Sequence, residues 1–161
     1  MRLFQNIDEV EAAVGDHLGH SDWLEITQDR VNAFADATDD HQWIHVNPER
    51  AAQGPFGAPI AHGYLTLSLL PRLSADLMRI DGVELVINYG LNKLRFPQPV
   101  RVGASIRVGG EIASFEHTRK GAQVVVKYTI EIKGEDKPAC VAESVRVLVP
   151  RRAEHPQGSI G

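Results

Sequence analysis

The longest apolar stretch of the chain reads GYLTLSLLPRLSADLMRI over residues 63–80. Apolar side chains cover most of the circumference that this stretch would have as a helix, which is typical of a helix buried on all sides. Pro71 lies in its interior, where the missing N–H removes one backbone hydrogen bond. The stretch therefore predicts a central helix from Gly63 to about Ile80, with a kink or a break at the proline.

The residues after this helix change period and predict strands. Four segments are rich in Val and Ile and show much alternation, with glycine or proline at or near each junction: 83–91, 104–115, 123–132 and 139–149. Long antiparallel strands joined by hairpins fit this pattern. A buried helix with four long strands predicts an α+β domain whose antiparallel sheet curls around the helix, with the strand order left open.

The residues before the helix have a mixed pattern. Residues 22–26 are a short strand candidate, and Thr27 can cap a helix that follows them. Residues 38–47 are rich in Asp and His and are expected to be irregular. Pro48 can open a short helical turn. Residues 53–59 hold two glycines and two prolines and are expected to form a loop.

The bulk composition indicates one soluble globular domain. The chain has 161 residues, of which 43% are apolar and 24% charged. A chain of this length builds a core without metal or disulfide support. We expect one domain over residues 1–149 and a flexible tail over residues 150–161, where Gly, Pro and Ser replace apolar residues.

Charge and cysteine content narrow the classes of protein further. A formal net charge of −4 disfavours a sequence-independent nucleic-acid binder, which needs a strongly basic face. We expect no membrane span, because no apolar stretch of about 18 residues is free of charged residues. The first ten residues carry acids where a signal peptide is apolar. The single cysteine, Cys140, fits a reducing compartment and predicts a cytoplasmic protein, with the thiol as a small strand residue and not a nucleophile.

The stretch DATDDHQWIHVN, residues 36–47, carries the candidate chemistry. Asp40 and His45 lie five residues apart in an irregular segment, so their side chains can converge on one water. Hydration of a double bond conjugated to a carbonyl needs a base, an acid and a group that holds the developing enolate oxygen. Imidazole can take and give a proton near neutral pH. The N–H of Gly63, at the start of the central helix, can donate to that oxygen.

The residues alone leave other interpretations open. Asp39, Asp40 and His41 could form a solvated turn, with His45 a partly buried polar residue bonded to backbone. Metal binding here is disfavoured, because neither the His-Glu-x-x-His nor the EF-hand spacing is present.

Three segments resemble a known family. They are DHQWIH at residues 40–45, PIAHGY at 59–64 and LRFPQPVRVG at 94–103, and they resemble the MaoC-like (R)-specific enoyl-CoA hydratases in order along the chain. The resemblance implies a hot-dog fold, usually as a homodimer, and reversible hydration of trans-2-enoyl thioesters to (R)-3-hydroxyacyl thioesters in fatty-acid metabolism. It implies no metal or redox cofactor, with coenzyme A or acyl carrier protein present only as part of the substrate. By motif position, Asp40 and His45 activate the water, and the Gly63 amide polarises the thioester carbonyl.

The chain departs from the family pattern at two positions. Gln42 and Trp43 stand where the family commonly has Asn and Pro. The pair of Asp40 and His45 is retained, and the departure bears on the geometry of the loop and on the length of acyl chain accepted.

Further substrate contacts are expected from the resemblance at His62, Asn88, Tyr89 and Arg95. Each has an ordinary alternative: His62 could satisfy local backbone, and Tyr89 could be a core or dimer-contact aromatic. Arg95, with Lys93 and Arg101, would suit the phosphates of coenzyme A, although surface charge is the default interpretation for such residues.

Two other functions compete with hydration. A hot-dog thioesterase needs a carboxylate aimed at the thioester carbon, often on the central helix. Asp76 lies far along the predicted helix and residues 63–74 contain no acid, which disfavours hydrolysis. A non-catalytic dimeric acyl-binding module would be favoured if Asp40 or His45 were missing, and both are present.

Overall fold

The computed structural model describes residues 1–151, and these form strands and short helices in alternation. The strands are β1 Arg2–Phe4, β2 His17–His20, β3 Leu24–Glu25, β4 Met78–Ile80, β5 Val83–Arg95, β6 Ser105–Thr118, β7 Gly121–Ile132 and β8 Cys140–Pro150. The helices are α1 Ile7–Ala12, α2 Gln28–Thr38, α3 Trp43–Val46, α4 Pro48–Ala52, α5 Gly63–Ser68 and α6 Leu70–Ser74.

Six of the strands form one antiparallel sheet in the order β2-β6-β7-β8-β5, with β3 also paired to β6. The four long strands confirm the segments predicted from the alternation, and each runs one to four residues beyond a predicted boundary. β8 reaches Pro150, and the Arg151 N–H donates to the Gly82 carbonyl at 2.8 Å. The flexible tail was predicted over residues 150–161, of which residues 152–161 lie outside the described part.

The sheet buries one face against α5 and α6. Alternate residues of β7, from Ala122 to Ile132, are buried, as the period of two predicts. Leu65, Leu69 and Leu73 of the helices pack into the same core. Since truncating a buried leucine to alanine typically costs about 2–5 kcal/mol, this contact between helix and sheet holds the domain together. The predicted α+β fold with a hot-dog arrangement is confirmed.

The central helix is shorter than predicted. It breaks at Leu69 and ends at Ser74, and Met78–Ile80 is the strand β4, which pairs in parallel with β1. Pro71 cannot donate to the carbonyl one turn before it, and this confirms the predicted break. The extension to Ile80 was wrong because a strand from the other end of the chain pairs with these residues. The prediction of a helix buried all round was also wrong, since Tyr64 is 69% exposed.

Caps explain where the shorter helices begin. The Thr27 hydroxyl accepts a hydrogen bond from the Arg30 N–H at 3.3 Å and so caps α2, as predicted. The Asn47 side chain accepts from the Arg50 N–H at 3.0 Å and caps α4, which Pro48 opens. The irregular segment predicted over residues 38–47 contains the helix α3. Among residues 1–151, no helix is both long and apolar enough to cross a membrane.

Candidate active site

The end of α2 delivers Asp40 to the site. Asp39 caps this end in the left-handed conformation (φ 57°), which aspartate tolerates better than most residues. The chain therefore turns sharply between α2 and α3. The backbone N–H of Gln42 donates to the Asp40 carboxylate at 3.4 Å, and this side chain is 53% exposed. Asp40 thus presents a carboxylate that solvent reaches and that the backbone orients.

His45 is held on α3 by two hydrogen bonds. Its Nδ1 lies 2.6 Å from the Ile60 carbonyl oxygen, which can only accept, so Nδ1 carries the proton. The side-chain amide of Gln28 donates to the His45 carbonyl at 2.8 Å. Burial is the largest influence on the imidazole and lowers its pKa from the ordinary value, and the nearby His62 acts in the same direction. The neutral ring then has a free lone pair on Nε2.

His62 connects the other groups of the site. This buried residue precedes α5, and its Nε2 donates to the Asp40 carbonyl at 2.9 Å. Its ring stacks on that of His45, with centroids 3.8 Å apart and planes 23° from parallel. The ring of Phe34 packs on it at 4.9 Å. The structure thus supports the interpretation in which His62 satisfies backbone, and it places the residue so that it holds Asp40 against His45.

Gly63 follows His62 directly and begins α5. No side chain caps this end of the helix. A Cβ atom at Gly63 would lie 3.1 Å from the Phe96 ring, so glycine is what allows the aromatic ring to approach so closely. Since Gly63 is covalently joined to His62, the structure brings it into the same site as Asp40 and His45.

The three polar side chains also have donor atoms suited to a cation or a water. Donor atoms of Asp40, His45 and His62 all lie within 4.8 Å of one another. The ring nitrogen that is left over is Nε2 in His45 and Nδ1 in His62, and His62 Nδ1 is buried without a hydrogen-bond partner among the described residues. The Asp40 carboxylate and the His45 Nε2 can orient and polarise a water between them.

The two departures from the family pattern lie at the start of α3. The Arg50 guanidinium stacks over the Trp43 ring at 4.3 Å, and a Cβ atom at Gly54 would lie 2.9 Å from that ring. Trp43 therefore packs on α4 and the loop after it. Gln42 caps α3 without a side-chain hydrogen bond. We therefore expect Gln42 and Trp43 to affect the geometry of the segment that carries Asp40 and His45.

A cavity of about 410 Å³ opens beside the helices. α5 and α6 contribute Leu67 and Leu70, β5 contributes Asn88 and Tyr89, and β8 contributes Arg146. The cavity begins one helical turn, about 6 Å, beyond Gly63. Asn88 and Tyr89 were predicted as substrate contacts, and the structure places them together in this cavity. Tyr89 is 71% exposed, so its alternative interpretation as a core aromatic was wrong.

The basic residues expected near the phosphates of coenzyme A are all exposed. Arg95 donates to the Leu94 carbonyl at 2.7 Å, and Lys93 lies 3.8 Å from Glu143. Arg101 forms an antiparallel bridge with Ile60, whose carbonyl holds His45. Arg101 therefore lies closer to the candidate site than its place in the sequence suggested.

Sequence reasoning missed several groups that shape the site, among them Gln28, Phe34 and the Ile60 carbonyl. Each acts through a contact between distant parts of the chain and leaves no local pattern. Cys140 conforms to its prediction, since the thiol is fully buried and burial raises its pKa to about 11. A thiol in this state is a poor nucleophile.

An antiparallel sheet curled around a helix, with a carboxylate and two histidines at the start of that helix, places the protein in the class of hot-dog enzymes. The chain belongs to the family of the MaoC like domain, whose profile matches residues 9–134.

Of three similar proteins, two are named as a thioester dehydratase and a hydratase, and the third as a nodulation protein. 3-hydroxyacyl-thioester dehydratase Z of Mycobacterium tuberculosis (strain ATCC 25618 / H37Rv) is 55% identical over 146 residues, covering 90% of this chain and 97% of the relative. Nodulation protein N of Rhizobium leguminosarum bv. viciae is 39% identical over 158 residues, covering 95% and 97%. The solved structure of R-hydratase PhaJ1 from Pseudomonas aeruginosa matches with a TM-score of 0.71 at 26% identity, covering 98% and 99%. The predicted hydro-lyase class is thereby confirmed.

Proposed function

We propose that the protein catalyses the reversible, (R)-specific hydration of trans-2-enoyl thioesters to (R)-3-hydroxyacyl thioesters in fatty-acid metabolism. The observation that carries this proposal is the convergence of Asp40, His45 and Gly63 through the single residue His62. A proton-transfer pair and a free amide donor at the start of a helix are the groups that this reaction needs.

In the hydration direction, one water is held between Asp40 and His45. The Nε2 lone pair of His45 is free because Nδ1–H is bonded to Ile60, so the ring can take a proton from this water. The water oxygen then bonds to C3 of the enoyl chain as hydroxyl, and the proton that His45 took from this water is delivered to C2, which returns the imidazole to its neutral state. Dehydration runs through the same steps in reverse, with loss of a proton from C2 and of water from C3.

The amide of Gly63 is assigned to the thioester carbonyl. Negative charge accumulates on this oxygen when water adds to C3, and an uncapped N–H at the helix start is suited to hold it. The absence of a Cβ lets the Phe96 ring pack directly beside this amide. No step changes an oxidation state, and coenzyme A or acyl carrier protein takes part only as the carrier of the acyl group.

The exposed arginines near the site are suited to the phosphates of such a carrier. Arg101 is bridged to Ile60, and Arg95 directly precedes Phe96, whose ring packs against Gly63. Guanidinium groups form paired hydrogen bonds with phosphate. We propose a cytoplasmic location, because the single cysteine in the sequence, Cys140, can form no disulfide within the chain and fits a reducing compartment.

We further propose a homodimer that forms along β5. This strand is the last in the sheet order, so one of its edges has no partner among the described residues. Leu85, Val86 and Ile87 on it are each 46–53% exposed. An unpaired apolar edge is the kind of surface on which a second copy adds its own strand.

The test uses purified protein and crotonyl-CoA. We expect loss of the conjugated-enoyl absorbance without release of a free thiol. Asp40→Asn and His45→Gln should each lower turnover about 10²- to 10⁴-fold, because each removes one proton-transfer group at nearly unchanged size. Asp39→Asn and His41→Gln are matched controls beside the site and should retain turnover.

Two results would contradict the proposal. The first is hydration at the parent rate in both site variants with circular dichroism confirming that they are folded. The second is thiol release, which would indicate a thioesterase. The structure already disfavours that alternative, since Asp76 lies beyond the end of α6 and pairs with Arg72 at 3.7 Å.

A further inference from the structure

Arg146 lies at the inner end of the cavity beside the helices. It lines both the 410 Å³ cavity and a smaller one of about 80 Å³ that continues toward Met78, Ile80 and Val86. Its side chain donates one hydrogen bond, from NH2 to the Ser74 hydroxyl at 3.1 Å. The guanidinium carbon lies 5.2 Å from the centre of the Tyr128 ring. Arg146 thus sits where the cavity meets the core.

The guanidinium is short of acceptors. Its Nε–H is buried and has no hydrogen-bond partner among the described residues. The buried Tyr128 hydroxyl interacts with Arg146 and with Ser74. No carboxylate of residues 1–151 forms an ion pair with Arg146. Arginine has five N–H donors, and leaving a charged donor buried without an acceptor is costly. The part of the guanidinium that lines the cavity is therefore free to bind an acceptor from outside the chain.

The position of this cluster fits the far end of an acyl chain. Ser74 lies eleven residues after Gly63, which along a helix corresponds to about 16 Å. The cavity follows the middle of the same helices, past Leu67, Ser68, Leu70 and Pro71. A substrate whose thioester carbonyl meets the Gly63 amide would run its chain along the cavity toward Arg146. The polar side chains of Ser68, Asn88 and Ser144 also line this cavity. A purely hydrocarbon chain would leave these side chains without hydrogen-bond partners.

We propose that Arg146, which Ser74 and Tyr128 hold in place, forms a subsite for a carboxylate at the distal end of the acyl chain. The preferred substrates would then be enoyl thioesters of dicarboxylic acids. A planar guanidinium can bind such a carboxylate through two parallel hydrogen bonds. This assignment rests on the proposed hydratase function, because Gly63 fixes the other end of the chain.

The experiment compares pairs of trans-2-enoyl-CoA esters of eight, twelve and sixteen carbons, ending in either a methyl group or a carboxylate. We expect the parent protein to have the higher kcat/KM for the carboxylate member at the length that reaches Arg146. Arg146→Gln should reduce this preference about tenfold or more, as the loss of a hydrogen bond to a charged group predicts. Arg146→Lys should keep part of it. Arg119→Gln, in the exposed turn between β6 and β7, is the matched control and should keep all of it.

Calorimetric binding of a saturated dicarboxylic CoA ester gives a second readout that does not depend on turnover. The parent should bind it more tightly than Arg146→Gln does, with thermal melts confirming that both are folded. A preference for methyl-ended chains in the parent, or an equal loss for both members of each pair in Arg146→Gln, would overturn the subsite. Failure of the parent to hydrate any enoyl-CoA would instead contradict the hydratase function, and calorimetry would still decide on the subsite.

Discussion

His45 illustrates how a single residue is prepared for proton transfer by its surroundings. The Ile60 carbonyl fixes which ring nitrogen carries the proton, and burial keeps the ring neutral. Neither effect requires a charged neighbour. The carbonyl comes from a segment fifteen residues away along the chain, so the tautomer is a consequence of the fold and not of the local sequence.

The pH dependence of hydration follows from this state. Because burial lowers the pKa of His45 below the ordinary 6.5, the ring stays neutral at pH 7 and becomes protonated only at a lower pH. Protonation removes the lone pair that takes the water proton. We expect kcat/KM for crotonyl-CoA to be level near pH 7 and to fall as the pH drops through a value below 6.5. A fall centred at or above 6.5 would disagree with the buried, neutral ring.

His62 is expected to act as a positioning residue. His62→Leu removes both the hydrogen bond to the Asp40 carbonyl and the stack on His45, and we expect kcat to fall about tenfold, as the loss of one buried hydrogen bond suggests. His62→Gln retains an N–H donor and should restore part of kcat. Steady-state kinetics and thermal melts distinguish this from a loss of fold. Equal rates in the two variants would leave no positioning role for the hydrogen bond.

The residues of the site could be predicted only where they carry a motif. Asp40, His45 and Gly63 were found from their spacing, and the structure brings them together. The hydrogen bond from the His62 ring to the Asp40 carbonyl could not be predicted, because the two residues are 22 positions apart in the sequence. Arg146 had no signal either, since an arginine in an alternating strand resembles any other polar position.

Among the helices and strands, those with a pattern in their own residues were predicted correctly. Strands that form only by pairing with a distant segment were not predicted. The four long strands have alternation that reveals them, and α2 has a capping threonine. β1 and β4 have three residues each and exist because they pair with one another across more than seventy residues. A segment this short has no pattern of its own, so residues 78–80 were assigned to the helix that precedes them.

The turn between β6 and β7 depends on one glycine. Gly121 has φ +145°, and a Cβ atom there would fall against the Leu148 carbonyl oxygen of the neighbouring strand. We expect Gly121→Ala to lower the melting temperature by several degrees, because both the conformation and the backbone contact oppose the methyl group. Gly134→Ala is the matched control: its φ is +80°, but nothing lies within 4 Å of the added atom. Differential scanning calorimetry should show the smaller loss for Gly134→Ala, and the reverse order would contradict the clash.

For the whole molecule, the dominant feature is the exposed strand β5. It carries five of the eleven large exposed hydrophobic side chains of the described residues, including Leu85, Ile87 and Tyr89. Patches of this kind mark contact surfaces. The resemblance predicted a homodimer, while the residues themselves gave no indication of which surface would form it.

The edge of β5 can be tested directly. The double substitution Leu85→Lys and Ile87→Lys places charge in the proposed contact. We expect light scattering to report a dimer for the parent protein and a monomer for this variant. The same change at Ala113 and Thr118 of β6, which are also exposed, should leave the dimer intact. A parent that is monomeric at all concentrations would refute assembly along β5.

Strand β5 forms both the edge proposed for dimerisation and one wall of the 410 Å³ cavity. Asn88, Tyr89 and Leu91 line the cavity and belong to the strand along which the second copy is proposed to bind. A second copy that binds along β5 would therefore also contact the strand that lines the proposed acyl-chain cavity. By mass action, dilution below the dissociation constant of the dimer should lower the turnover per chain, and added substrate should shift the association equilibrium back toward the dimer. The activity of this protein would then depend on its own abundance.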